Sequence, residues 1–333
     1  MKHSLILVLL VAASACAAAE ESTKVSQGVD ASDASETPRG PGEGYLDAPY
    51  ATLSEYHLTD DVLVPYEVHN ALFTDYADKA RALYLPKGTR AKWVSADAPI
   101  DLPVGAILVK RFSYGDRKIE TRLLIHRRDG WKGHAYLWDE DQKEARVRPG
   151  GGIVELDTPK GHVTHLVPSE LQCIKCHADG DRFVPIGMRP TLFDHADQLA
   201  RMVDGAPPSH PIAQWNDPSS GTTTERARAY LDANCGHCHN DKGSARTTGL
   251  WLRLGDRPDL ELGLCKPPVA AGRGSGDLSF DIVPGKPDES ILIRRMRSTE
   301  PQQMMPEIGR SLVHEEGVAV VAEWIASLTG ACR

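Results

Sequence analysis

Two five-residue segments, Cys173-Ile174-Lys175-Cys176-His177 and Cys235-Gly236-His237-Cys238-His239, repeat the order C-x-x-C-H. No other feature narrows the possible folds as much. Two thiols three residues apart on one turn can each add to a vinyl group of the same porphyrin, and the histidine that follows then lies under the iron as its proximal ligand. This is the attachment spacing of c-type haem. With 7 Cys and 13 His in 333 residues, one such pentapeptide arises by chance in roughly 0.006 of chains, so a pair is no accident. Cys173, Cys176, Cys235 and Cys238 are therefore expected to carry two c-type haems, with His177 and His239 bound to iron. Four thiolates in two pairs can also close a zinc tetrahedron. Zinc, however, does not call for a histidine directly after both pairs, and the pairs lie too far apart for a zinc ribbon. A redox-active C-x-x-C disulfide is a weaker rival, because no thioredoxin-like βαβ pattern surrounds either motif.

Covalent haem needs an export route, and the N-terminus offers one. Lys2 precedes an apolar run from Leu5 to Ala19 whose length suits a secretory signal better than a spanning helix. Cys16 follows Ala13-Ser14-Ala15 and resembles a lipoprotein cleavage box, although such boxes usually carry leucine where Ala13 stands; cleavage after Ala17-Ala18-Ala19 is the alternative. The expected place is thus the periplasm, with lipid attachment at Cys16 or as a soluble protein. Any membrane contact comes through that anchor alone. Cys265 and Cys332 remain, an even number in an oxidising compartment, and are expected to form a disulfide, with two buried free thiols as the alternative. A formal net charge of −8 argues against a nucleic-acid partner.

The chain divides by composition into a signal at residues 1–15, a disordered tether at 16–44, a β-rich domain at 45–165, a first haem-binding segment at 166–220, and a domain carrying the second haem at 221–333. The tether is Ala, Glu, Ser, Asp, Gly and Pro without an apolar face. As a flexible coil it would span roughly 30 Å. In the β-rich part, Ile119, Thr121, Leu123 and Ile125 alternate with Glu120, Arg122, Leu124 and His126, and Asp129-Gly130 supplies a two-residue hairpin turn. Gly105 to Phe112 and Ile153 to Leu156 read as further strands. The arrangement expected is an antiparallel sheet or sandwich.

The second motif has helical surroundings. Thr222-x-x-Glu225 is a capping box leading through Ala227, Tyr230, Leu231 and Asn234 into Cys235. Val318, Val321, Ala322, Ile325 and Leu328 form one apolar stripe near the C-terminus. Between them, Met304-Met305-Pro306 places thioethers in a loop. Met305 is the expected distal ligand of the second haem, with Met304 and Met296 behind it and a packing methionine as the alternative. A Met/His pair raises the reduction potential. For the first haem the candidates are Met188, His195 and His165, the last in His162-x-x-His165, and no spacing rule chooses among them. Pro190 to Val203 reads as a helix stopped by Asp204-Gly205.

The helix ending in the second motif and packed across a C-terminal helix resembles the cytochrome c domain. Longer stretches resemble an uncharacterised family of di-haem c-type cytochromes from Gram-negative bacteria: Asn70 to Ala77 with Lys79 and Arg81, Pro103 to Phe112, Glu120-Thr121-Arg122, Pro168 to Cys173, Tyr230 to Cys235, Ile282 to Gly285, Met305-Pro306 and Trp324-Ile325. The resemblance implies two covalent haem groups, export and electron transfer, and it supplies no substrate. The fold class expected is multidomain α+β: an N-terminal antiparallel β-rich domain followed by a mainly α-helical, cytochrome c-like haem region. The function expected is electron transfer to an unidentified redox partner protein. The alternative is a peroxidase-like haem enzyme whose first haem keeps an open distal face, and a non-haem binding module built on the β domain is a third reading. No G-x-S-x-G, H-E-x-x-H or G-x-x-x-x-G-K-[ST] motif offers other catalysis, so no catalytic residue is assigned.

Overall fold

The alternating segment around Leu123 becomes the centre of a six-stranded sheet. The computed structural model describes residues 40–95, 98–193, 196–205, 212–255, 258–269 and 271–333. Its first strands are β1 (Leu63–Pro65), β2 (Asp78–Tyr84), the two-residue β3 (Ala91–Lys92), β4 (Ile107–Tyr114), β5 (Arg117–Arg127), β6 (Gly130–Trp138) and β7 (Ala145–Val147). The sheet runs β1-β2-β4-β5-β6-β7 with every pairing antiparallel. The turn joining β5 to β6 is Arg128-Asp129, one residue earlier than the expected Asp129-Gly130. Gly130 instead opens β6, paired with Arg127 and at φ +107°, a conformation that L side chains resist. Ile107, Leu123, Ile125 and Tyr136 point to one face and are buried with Tyr45 and Tyr56. The opposite face carries Leu83, Leu108 and Leu124, packed with Met188, Phe193 and Met202.

A second hairpin, β8 (Gly152–Thr158) with β9 (Gly161–Val167), lays Leu156 and Val163 against Ile119 of β5. Helix α1 (Glu170–His177) follows, then the short hairpin β10 (Ala178–Asp179) and β11 (Arg182–Phe183). The Pro190 run expected as one helix is divided: a 3-10 turn at Pro190–Leu192, helix α2 (Ala196–Met202), and β12 (Val203–Asp204) paired parallel with β3. Extended backbone at Phe193, which bridges to Val68, separates the turn from α2. The rest of the chain holds α3 (Thr223–Asn234), α4 (Asp259–Leu262), α5 (Ile291–Arg297) and α6 (Glu315–Ser327). Leu231, Ile293, Val321, Trp324 and Ile325 form the core between α3, α5 and α6.

The expected fold class is corrected here. The chain is β-rich around the six-stranded sheet, its α-helices are short, and residues 221–333 are not a mainly α-helical, cytochrome c-like region. The longest helix there, α6, has 13 residues, and α4 has 4. The physical reason is the glycine and proline density between the helices. Gly249, Gly263, Gly276 and Gly285 all adopt positive φ, each ending a helical turn or forcing the chain round. Two amphipathic stripes at the ends of this region were legible; the many turns between them outweigh the stripes. The described residues pack as a single unit. A 3-10 turn at Glu43–Leu46 already belongs to it, with Tyr45 donating its hydroxyl to the Gly105 carbonyl at 2.8 Å. Residues 1–15, expected to be a signal, and Cys16 lie outside the described residues. Among the described residues no helix is long and apolar enough to cross a membrane.

Candidate functional site

Helix α1 starts with a reciprocal cap: the Ser169 hydroxyl accepts from the Gln172 amide, and the Gln172 side chain accepts from the Ser169 amide. The cap fixes where Cys173, Cys176 and His177 stand. The helix is tied to β6 by His134 Nδ1 and Glu170 Oε1, 2.6 Å apart. Gly133 of β6 leaves an opening there, since a Cβ at that position would lie 3.3 Å from the Cys173 sulfur. His177, at the end of α1, stacks on Phe183 with centroids 4.8 Å apart. Its Nδ1 lies 2.7 Å from the Val184 carbonyl oxygen. A carbonyl only accepts, so Nδ1 carries the proton and Nε2 keeps its lone pair. Burial holds this imidazole neutral, its pKa lowered to about 4.

The second motif is built the same way from different elements. Thr222 and Glu225 form the capping box of α3, and the helix delivers Cys235 at its C-terminal end. His239 Nδ1 lies 3.3 Å from the Leu250 carbonyl oxygen, which fixes the same tautomer. Burial lowers the His239 pKa and pushes the Cys235 thiol up to about 12. In both motifs the main chain closes round the histidine. The Val184 amide donates to the His177 carbonyl and the Leu252 amide to the His239 carbonyl. The ring bonds from Nδ1 to the Val184 and Leu250 carbonyls are of the kind that orient metal-binding imidazoles and raise their basicity.

Cys235, Cys238 and His239 line a cavity of about 410 Å³, together with Met305, Met296 and largely apolar side chains such as Leu250, Leu252 and Val318. Met305 therefore shares a cavity with the second motif. Met304 is buried but lies outside the lining residues. The donor set fits a c-type haem: two thiols, an imidazole of fixed tautomer, a thioether and an apolar enclosure. All four motif cysteines are free of disulfides.

The Met305 loop is held by residues that the sequence did not single out. Arg310, buried, donates from its guanidinium to the carbonyls of Met305, Arg295, Met296, Ser298 and Leu312. The next residues are held by Asp75, whose carboxylate accepts from the Ser311 amide and hydroxyl and from the Leu312 amide. Asp75 and its neighbour Tyr76 take left-handed φ values of +46° and +59°. Phe73 lines the cavity, stacks on His314 at 4.1 Å, and donates its amide to the Asn234 side chain. The Leu72 to Ala77 segment, expected to be structural within the β-rich domain, thus reaches across to the second motif and its methionine loop.

The two motifs touch. Cys238 Sγ lies 3.2 Å from the Lys175 carbonyl oxygen, the Ser244 hydroxyl donates to the same oxygen at 2.6 Å, and the Gly180 amide donates to the Lys242 carbonyl at 2.9 Å. The sulfur atoms of Cys176 and Cys238 and a ring nitrogen of His237 all lie within 4.8 Å of one another. The hydrogen bond between the two thiols keeps Cys176 protonated and draws the Cys238 pKa down.

The remaining candidates fall elsewhere. Met188 is buried in the apolar cluster on the sheet face with Leu83, Leu108 and Phe193. His165 Nε2 lies 3.0 Å from the buried Glu120 carboxylate, while its Nδ1 is buried without a partner. His162 is exposed beside Asp157 and Glu155, and His195 lies outside the described residues. Cys265 and Cys332 are joined by a disulfide with Cα atoms 5.1 Å apart. No family model matches the chain, and no curated protein or solved structure compared with it is similar.

Proposed function

We propose that this chain is an exported di-haem c-type cytochrome that passes electrons between two covalently held haem groups and on to a redox partner protein. The observation that carries the reading is the tautomer shared by His177 and His239. Each gives its Nδ1 proton to a main-chain carbonyl and keeps Nε2 as a ligand atom, directly after a pair of free thiols. Met305 in the same cavity as His239 would hold the iron of the second haem through its thioether. Haem, when bound, supplies a one-electron couple whose potential the axial ligands and the burial of the site set. The chain's own part is to hold both imidazoles neutral, to fix the methionine loop through Arg310 and to exclude water with Leu250, Leu252 and Val318. The contact between Lys175 and Cys238 keeps the two attachment points side by side, which suits rapid exchange between them. Export through residues 1–15 and lipid attachment at Cys16 in the periplasm belong to the same proposal.

A separate observation favours a second reading, in which Cys176, His237 and Cys238 hold a soft divalent metal ion such as zinc between the motifs. One experiment separates the readings. The full chain is produced with haem-attachment machinery, and its haem and metal content and ferric spectra are measured. Two covalent haem groups per chain, both low-spin and unchanged by cyanide or peroxide, are expected. A high-spin, ligand-accessible first haem would turn the reading into the peroxidase-like enzyme. Colourless protein with one zinc per chain would replace it with the metal-ion reading.

A further inference from the structure

On the sheet face that looks toward α1, three cations stand directly opposite one another on successive strands. Arg81 of β2 pairs with Lys110 of β4, and Lys110 pairs with Arg122 of β5. Lys79 lies on the same face one row along, opposite Phe112. Like charges placed directly across a sheet repel and destabilise it, so such a row calls for an anion.

The protein supplies little. Glu120 is fully buried and binds Arg122 through two oxygens at 2.7 and 2.9 Å, and it also takes His165. Among the described residues the one carboxylate within ion-pair reach of Arg81 is the exposed Glu67, at 3.7 Å. Among the described residues Lys79 and Lys110 have no carboxylate within ion-pair reach; Lys110 rests 4.9 Å from the Phe112 ring centroid. Burial, followed by Arg81, Lys79 and Arg122, pushes Lys110 well below the usual lysine range, and burial lowers Lys79 to about 8. Yet the cluster is not sealed. Arg122 is enclosed by protein but 28% of its side chain remains open to water, as in a deep cleft rather than a packed core.

The position of the cleft identifies its occupant. Leu124 and Gly133 pair in the neighbouring row, and Gly133 of β6 is where the Cys173 sulfur meets the sheet. From β6 to β4 is two strand spacings, about 10 Å, comparable with the breadth of a porphyrin. A ring bonded to Cys173 by its vinyl edge and lying over this face would carry its carboxylate edge onto β4 and β2. We infer that Lys79, Arg81, Lys110 and Arg122 form a cradle for the two propionate carboxylates of the haem attached to Cys173 and Cys176. The inference rests on the di-haem reading and adds to it the docking of the first porphyrin on the sheet, which gives the β-rich part of the chain a role in haem binding.

The test uses the full-length holoprotein with haem content and both midpoint potentials measured by spectroelectrochemistry. Lys110→Met keeps the side-chain volume and removes one cation. It is expected to retain two haem groups while shifting one of them toward the ferric state by about three- to tenfold in the ferrous/ferric ratio, the upper end being about 59 mV for a one-electron couple. Lys110→Arg should restore the wild-type potential. Arg111→Met, the same charge change one residue on and at an exposed position of β4, should leave both potentials in place. If Lys110→Met fails to accumulate with two haem groups, Lys79→Met at the half-buried end of the cluster gives the deciding shift. Wild-type protein without haem removes the di-haem reading itself. Two haem groups with potentials unmoved by Lys110→Met and Lys79→Met overturn the cradle alone, and so does an equal shift in Lys110→Met and Lys110→Arg, which would mark a packing effect. A wild-type potential that moves with inorganic phosphate at constant ionic strength would show that the cations serve a free anion, which also overturns it.

Discussion

Arg310 bears more of the methionine loop than any other side chain. Its guanidinium reaches five carbonyls on both sides of the Met305 turn, and hydrogen bonds from a charged donor in a buried setting are among the stronger ones. Arg310→Met takes this donor from all five oxygens, of which the Arg295 carbonyl still accepts the Met305 amide. It is expected to cost about 3 kcal/mol, read from the denaturant midpoint, and, on the di-haem proposal, to weaken the sulfur-to-iron absorption of the second haem in the same preparation. His314 makes a prediction of another kind. Burial holds its pKa at about 4 instead of 6.5, so the unfolded chain binds a proton between pH 6.5 and 4 that the folded chain refuses. Its contribution to stability is therefore complete above pH 6.5 and is lost as the pH falls toward 4. Chemical denaturation across that range should show a steeper acid loss for the wild type than for His314→Phe, which keeps the stack on Phe73 and removes the titration.

Among the elements, the crossing of α3 and α6 is the most tightly specified. Gly317 of α6 faces the ring of Tyr230 on α3, and a Cβ at that position would fall 2.3 Å from the ring. Tyr230 also lines the cavity of the second motif and bonds His314 through its hydroxyl at 3.0 Å. Gly317→Ala must move the ring or part the helices, at a cost of about 1–3 kcal/mol, measurable as a lowered thermal midpoint. On the di-haem proposal the altered cavity should also change the spectrum of the second haem. Neither effect is readable from the apolar stripe of α6, which marks the buried face but not how closely the partner approaches.

For the whole molecule, the disulfide between Cys265 and Cys332 closes a segment with a sequence separation of 67 that contains α5, the Met305 loop and α6. Restricting a loop of that length in the unfolded chain stabilises the folded one by about 4 kcal/mol in the chain-entropy description. Replacing both cysteines by serine should lower the denaturant midpoint correspondingly and, on the di-haem proposal, keep two haem groups per chain. The same separation explains why residues of the β-rich part matter here. Asp75 reaches Ser311 and Leu312, and Arg189, just before the 3-10 turn at Pro190–Leu192, clamps the buried Asp232 of α3 through two oxygens. The segments divided by composition are thus joined by buried polar contacts.

Local chemistry wrote part of this protein into its sequence: the two C-x-x-C-H motifs, the capping boxes at Ser169 and Thr222, the β5–β6 hairpin, whose turn falls one residue before the expected Asp129-Gly130, and the stripe of α6 each depend on residues a few positions apart. Long-range packing decided the rest. Asp75 and Tyr76 adopt left-handed backbone without glycine, Arg310 turns inward although arginine usually meets solvent, and Lys110 faces Arg81 and Arg122 only once the strands have found their register. The short helices of residues 221–333 have the same origin, since turns at many glycines and prolines set the path that two amphipathic stripes alone could not reveal. Distance along the chain is the physical divide: interactions within one turn follow from residue order, and those that close the cavity and the cationic cleft need the folded backbone.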